Sequence, residues 1–351
     1  GEPMQPVLVG DKGRMYKLTS FIKRSKLTVI LPVIISASLM AWLLMRIDVV
    51  KIIDRWQSVN WLVLALVLPP ISLLNSSIRA GRVRLILDAQ GIRFPYRWLW
   101  LLQLRGAFIL SFIPGKVSGD LYRGYAIGRD ADRRFDSITS VLLERVIGLT
   151  ALIFVSVTSL FLAVYALDVT TYATVLQPVI FLAVAVTVAA LLAFIIIRQR
   201  LIQRWELPVP LWNRIQQLAE QLYLLFDDIG ILGGLGFLSV LLQLAVISWY
   251  FVIARAMHLD VSLLTLMVSV PVVELLVTAP ISIGGIGVRE SAMVFLLLPF
   301  GVAPEDAVSL SLLVAITATI AGTLAGLSFF VALPKQASTQ QPVLEQQTER
   351  L

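Results

Sequence analysis

Apolar runs of about twenty residues, the length that crosses a bilayer as a helix, recur along almost the whole chain, with short segments rich in Lys and Arg between them. Full spans are predicted over 27–45, 61–84, 138–165, 175–197, 232–256 and 307–333. Two further apolar stretches do not fit this pattern. The first, 98–113, is short, carries Arg105 and Gly106, and ends in FIPGKVSGDLYR; the second, from 262 to about 300, is interrupted at 279–291 by APISIGGIGVRES.

Basic residues orient these elements, because Lys and Arg gather on the cytoplasmic side of short membrane loops. Lys12, Arg14, Lys17, Lys23, Arg24 and Lys26 precede the first span and place the N-terminus in the cytoplasm. Arg79, Arg82, Arg84, Arg93 and Arg97 then mark the second connection as cytoplasmic, and Lys116, Arg123, Arg129, Arg133 and Arg134 mark the third. Both stay inside if 98 to about 128 enters and leaves on one side, turning near Pro114 and Gly115. A second hairpin, 262 to about 300, entering from outside, brings the C-terminus back to the cytoplasm. Between the halves, Leu211, Ile215, Leu218, Leu222, Leu225 and Phe226 recur at the spacing of an amphipathic helix lying on the inner surface.

The expected fold is an all-α polytopic membrane protein with six full spans and two re-entrant broken-helix hairpins. Each half, about 27–165 and 175–333, reads span, span, hairpin, span, and the halves start on opposite sides. That order is an inverted-topology repeat, which in transporters sets discontinuous helices against one another near the midplane. Eight ordinary spans with kinks is the alternative. The domain expectation is a basic cytoplasmic segment at 1–26, one transmembrane domain at 27–333, and a disordered polar tail at 334–351.

Composition agrees: 58% of the 351 residues are hydrophobic and 15% are charged, and the mean hydropathy is +0.86. The net charge of +7 is accounted for by the basic loops, so nucleic acid is not an expected partner. The chain has no Cys and His258 as its one His, which excludes disulfides, thiolate metal sites and imidazole clusters. No metal or other cofactor is expected. The first apolar run continues into a full span, unlike a cleaved signal peptide.

Candidate chemistry sits in the two breaks. PGKVSGDLYR and PISIGGIGVRE share an order: a proline, then glycines, then an acid and an arginine close together. Proline and glycine release backbone groups from the helical ladder, and at membrane depth such groups must be buried in protein or line a wet cavity. A helix restarting after Gly119 or Gly287 would offer free N–H groups to a phosphate or carboxylate. Glu144 and Arg145 lie near the start of a span and Glu274 lies inside VVELLV. An ionised residue at such depth costs roughly 2.5–3.5 kcal/mol on insertion scales and is usually paired. Adjacent residues on a helix face apart, so Glu144 and Glu290 are each expected to pair with an arginine from another element. These charges are either staples between helices or the lining of a substrate path, in which Lys116, Arg145 and Arg289 would meet phosphate, Arg through its planar fork. GKVS lacks the spacing of a Walker A loop, and GGIG has no βαβ unit around it.

The three blocks FIPGKVSGDLYRGYAIGRD, SVLLERVIGL and APISIGGIGVRES, in this order, resemble the family of lysylphosphatidylglycerol synthase transmembrane domains, flippase-like integral membrane proteins related to the flippase part of the multiple peptide resistance factor. The resemblance spans roughly residues 25 to 333. It implies lipid translocation, with Pro114, Gly115, Gly119, Asp120, Arg123, Glu144 and Arg145 matching the first two blocks and Pro280, Gly284, Gly285, Gly287 and Glu290 the third. Nothing after residue 333 resembles a soluble aminoacyl-transferase domain, so synthesis of a lysyl-lipid is not expected.

The sequence thus favours a prokaryotic inner-membrane flippase or transporter over an enzyme, with anionic or phosphate-bearing membrane lipids as its partners. Two other readings stay open. One is a membrane-embedded transferase using Asp120, Glu144 or Glu290; the other is a non-catalytic membrane partner of a cytoplasmic synthase. Gly322 and Gly326 stand at GxxxG spacing, which suits a helix contact within the fold or a homodimer seam.

Overall fold

The structure is a computed structural model that describes residues 33–43, 45–113, 118–131, 134–166, 228–278, 282 and 284–333. All regular structure among them is helical: α1 (Val33–Leu43), α2 (Val49–Gln57), α3 (Trp61–Ala89), α4 (Tyr96–Phe112), α5 (Ser118–Ala131), α6 (Arg134–Ala166), α7 (Ile229–Ala256), α8 (Leu263–Thr278), α9 (Val288–Leu297) and α10 (Pro304–Ala325), which continues as a 3-10 turn to Phe330. The predicted span 175–197, the amphipathic stretch near 211–226, the segments 1–26 and 334–351, and Pro114, Gly115, Lys116 and Pro280 lie outside the described residues.

Three of the described helices, Trp61–Ala89, Ile229–Ala256 and Pro304–Phe330, are long and apolar enough to cross a membrane. Their outer faces carry large exposed apolar side chains, among them Leu62, Leu66, Phe237, Leu324 and Leu327. So broad an apolar surface belongs in lipid. The chain is a multi-pass membrane protein whose described regular structure is helical.

Lipid tails are as apolar as leucine, so close packing rather than exclusion of water holds such helices together. α3 and α7 form the central antiparallel pair. At one end the Asn60 amide donates to the Ala256 carbonyl over 2.9 Å. Further along, small residues meet large ones reciprocally: a Cβ on Gly81 would stand 3.3 Å from Leu238, and one on Gly234 would stand 3.1 Å from Leu85. Around this pair, α4 packs on α3, α5 and α10, while α8 packs on α7, α9 and α6; α5 packs on α6 and α9 on α10. The largest core cluster joins α3 and α7 to α8, α9 and α10, with Leu266, Val273, Met293, Leu297 and Leu310 buried in it.

Helix ends follow local chemistry more than hydropathy. α3 runs on past residue 84 to Ala89, with Pro69 and Pro70 inside it, because Asn60 caps its start and Ile86 and Leu87 are buried. α2 falls where no element was predicted. Its charged residues hid a short amphipathic helix that starts at Asp48, whose side chain accepts from the Val50 amide over 3.0 Å. α2 is clamped to the first turn of α10: Arg55 donates twice to Asp306, over 2.6 and 2.9 Å, and the Trp56 indole donates to Ser309 over 2.7 Å. Gly322 and Gly326 face Ala107, Phe108 and Ser111 of α4, so their GxxxG spacing serves a contact inside the fold.

Candidate functional site

The first polar cluster forms where α4 and α5 lie antiparallel. A Cβ on Gly119 would stand 2.6 Å from the carbonyl oxygen of Gly106, and one on Gly106 would stand 3.2 Å from the stem of Arg123. Two glycines facing each other thus bring the backbones together and lay Arg123 across the crossing. α5 starts at Ser118, one residue before Gly119, so Gly119 serves helix contact rather than the break itself.

Arg123 is the hub. It is 6% exposed, and its Nη1 donates to Glu144 Oε2 on α6 over 2.9 Å and to Gln103 Oε1 on α4 over 2.6 Å. Its Nη2 donates to Asp120, one turn earlier on α5. Asp120 also faces Arg145 of α6 over 3.6 Å. From α3, Arg82 reaches the backbone oxygen of Glu144 over 2.7 Å. It lies against Gly148, where a Cβ would stand 3.3 Å from its Nη2.

Three guanidinium groups therefore meet two carboxylates, and Arg79 lies within electrostatic reach of Arg82 and Glu144. Arg82 and Arg123 are buried while Arg145 is half-buried, and desolvated ions are stable only when compensated. Arg82 is 2% exposed, and its Nε has no hydrogen-bond partner. The guanidinium groups of the cluster come from three helices, α3, α5 and α6, and such forks suit phosphate or carboxylate oxygens.

The second cluster surrounds the start of α9. Gly284, Gly285 and Gly287 have φ of +61°, +86° and +81°, values at which a side chain is strained. Gly287 also abuts α1, where a Cβ would stand 2.8 Å from Leu39. Here an expectation is corrected. Glu290 does not pair with an arginine among the described residues. Its Oε2 accepts from the Gly287 amide over 2.6 Å and its Oε1 from the Ser311 hydroxyl over 3.1 Å. Reaching back one turn, it caps α9 itself, as a glutamate at the third position of a helix does. The Arg289 and Ser291 amides are likewise taken, by Gly285 O over 2.8 Å and Gly287 O over 3.0 Å. The start of α9 is thus largely closed by protein groups.

Arg289 differs from its neighbour. Its Nη2 lies 3.4 Å from Gly284 O, its Nε is buried without a partner, and Tyr250, Glu274 and Glu290 lie within its electrostatic reach. The Tyr250 hydroxyl donates to Glu274 Oε1 over 2.9 Å, so Glu274 on α8 is joined to α7. No group of His, Asp and Glu among the described residues could hold a metal ion.

The sequence missed Arg82 and Gln103 as members of the first cluster and Tyr250 and Ser311 as members of the second. Arg82 was legible only as one of several basic residues beside a loop. Gln103 and Tyr250 each stand alone in an apolar run, LWLLQLRG and ISWYFV, and that isolation was the available signal.

An all-helical membrane fold with ionised side chains gathered at interrupted helices is the class defined so far. Residues 29–326 match the family described as the lysylphosphatidylglycerol synthase TM region, and the chain belongs to that family. No curated protein and no solved structure matches it.

Proposed function

We propose that this protein moves an anionic or phosphate-bearing lipid between the leaflets of a prokaryotic inner membrane. The observation that carries the reading is the gathering of Arg82, Arg123 and Arg145 at the first helical hairpin, with the buried Nε of Arg82 left without a hydrogen-bond partner. A lipid phosphate accepts from Arg82, and the surrounding apolar faces suit its chains. Arg289, with its unpartnered Nε, is a second phosphate contact. Gly284, Gly285 and Gly287 let the backbone pass close to a headgroup.

The membrane arrangement in this reading is six spans and two re-entrant hairpins in an inverted repeat, with both termini cytoplasmic. Two observations support it. α5 and α9 have 14 and 10 residues, about 21 and 15 Å, well short of a hydrocarbon core of about 30 Å. Exchanging α3–α6 for α7–α10 also maps packing pairs onto one another: between the halves, α4 with α10 onto α8 with α6, and within them, α5 with α6 onto α9 with α10. The antiparallel α3–α7 pair maps onto itself, as an in-plane two-fold axis requires.

Reconstitution of the purified chain in liposomes, with a labelled lipid followed between leaflets, tests the proposal. Movement by the protein alone supports it. A covalently altered lipid would favour the transferase reading, and activity that needs an added soluble enzyme would favour the partner reading.

A further inference from the structure

A cavity of about 680 Å³ lies between α3, α4 and α10, on the side of α4 away from Arg123. Its volume falls within the roughly 300–1,000 Å³ of small-molecule sites. Its walls are almost wholly apolar. Trp61, Leu73, Ile320, Leu324 and Leu327 at its rim are all exposed, so it opens sideways onto the surface that faces lipid. Along α10 it runs from Thr317 to Val331, about 20 Å at helical rises, comparable with one leaflet of a core about 30 Å thick.

One end of this groove is polar. Ser328 lines it, is 4% exposed, and its Oγ has no hydrogen-bond partner. Arg105, the neighbour of groove-lining Leu104, donates through Nη2 to Ser328 O over 3.3 Å and Val331 O over 2.8 Å. Its Cζ sits 4.9 Å over the Phe329 ring. Those contacts hold the guanidinium behind Ser328 and Val331, two residues that line the end of the groove, and its Nε is buried without a partner. A fixed cation and an unused hydroxyl at the end of an apolar channel complement a phosphate ester attached to a long chain.

We propose that the groove between α3, α4 and α10 seats one acyl chain of an anionic phospholipid, with the phosphate held by Arg105 and Ser328. Consecutive residues of α4 then divide two tasks: Gln103 faces Arg123, while Leu104 lines the groove and Arg105 grips the backbone at its end. The site is separate from the first cluster, and a lipid can occupy it whether or not the protein moves lipid between leaflets.

Native mass spectrometry of the detergent-purified full chain tests this, with dioleoyl phosphatidate, dioleoyl phosphatidylcholine and inorganic phosphate as probes and melting temperature measured on every variant. The wild type is expected to retain one phosphatidate in preference to phosphatidylcholine. Ala321→Phe or Leu324→Phe, which fill the groove, should weaken phosphatidate by about tenfold or more at unchanged melting temperature, and Ser328→Ala or Arg105→Gln should lower the preference for phosphatidate about tenfold, the scale of one hydrogen bond to a charged group. Phosphatidate retention by both groove-filling variants equal to wild type overturns the proposal. So does inorganic phosphate that displaces phosphatidate completely at equal concentration, which would mark an anion site without a chain seat. The readout is binding, so a failure of lipid translocation leaves it unaffected.

Discussion

Arg123 Nη1 lies 2.9 Å from Glu144 Oε2, and both side chains are buried, at 6% and 5% exposure. Burying two ions costs several kcal/mol each, and the pair persists because Gln103, Asp120 and Arg82 complete its surroundings. Removing one partner leaves the other uncompensated. Glu144→Ala should therefore destabilise the protein by about 3–5 kcal/mol, while the double variant Glu144→Ala with Arg123→Met should recover part of that loss. Thermal unfolding in one detergent measures these and Arg123→Met, and a double-variant loss equal to the sum of the two single losses would show that the two residues act independently.

The Gly106–Gly119 crossing sets the position of Arg123. Gly119→Ala places a Cβ 2.6 Å from the Gly106 carbonyl oxygen, and the backbones must part. The expected cost is about 1–3 kcal/mol, the range of overpacking. Gly236→Ala, where a Cβ meets nothing within 4 Å, is the control and should leave the melting temperature unchanged or raise it. A Gly119→Ala protein as stable as wild type would mean that α4 and α5 separate freely.

Glu290 and Arg289 adjoin in sequence and differ in surroundings. Glu290→Ala removes acceptors for Gly287 N and Ser311 Oγ, so stability should fall by about 2 kcal/mol or more, as expected for hydrogen bonds to a charged group. Preference among lipid headgroups should stay as it was. Arg289→Ala should do the reverse, weakening anionic lipid far more than zwitterionic lipid, with Arg289→Lys a partial rescue because the fork is lost. Melting temperature and lipid binding on the same preparations separate the two, and matching effects from both variants would assign both residues to packing.

Side-specific labelling tests the arrangement of hairpins. The chain has no cysteine, so single cysteines report without background. Cysteines at Gly91 and Arg129, which flank α4 and α5, should react from one side, and cysteines at Asp260 and Pro304, which flank α8 and α9, from the other. Opposite-side labelling within either pair would replace that hairpin by two ordinary spans.

How much of this was legible in the sequence depended on the length over which a signal accumulates. Spans such as α7 and α10 are long uniform apolar runs, and their helices fall within a few residues of the expected positions. α2 was missed because Lys51, Asp54 and Arg55 dilute a short amphipathic helix whose stability comes from Asp306 and Ser309, about 250 residues away. In the site, Arg123 and Glu144 could be chosen from the sequence because charge is conspicuous in apolar surroundings. Who pairs with whom could not be read, since it depends on which faces α3–α6 turn to one another. Glu290 illustrates the difference: spacing suggested an ion pair, whereas the structure has the side chain folded back onto Gly287.

Transport by wild-type protein and by Arg82→Gln in the same liposomes tests lipid translocation most directly. Arg82 contributes a buried, incompletely bonded guanidinium to the first cluster. Wild type should move a labelled anionic phospholipid between leaflets faster than a zwitterionic one. Arg82→Gln should slow the anionic lipid by about tenfold, the scale of one charge-assisted hydrogen bond, and leave the zwitterionic rate nearly unchanged, in protein whose folding is checked by its melting temperature. No movement of either lipid by folded wild-type protein, or equal rates for both lipids that Arg82→Gln does not alter, would contradict the assignment of an anionic lipid to this cluster.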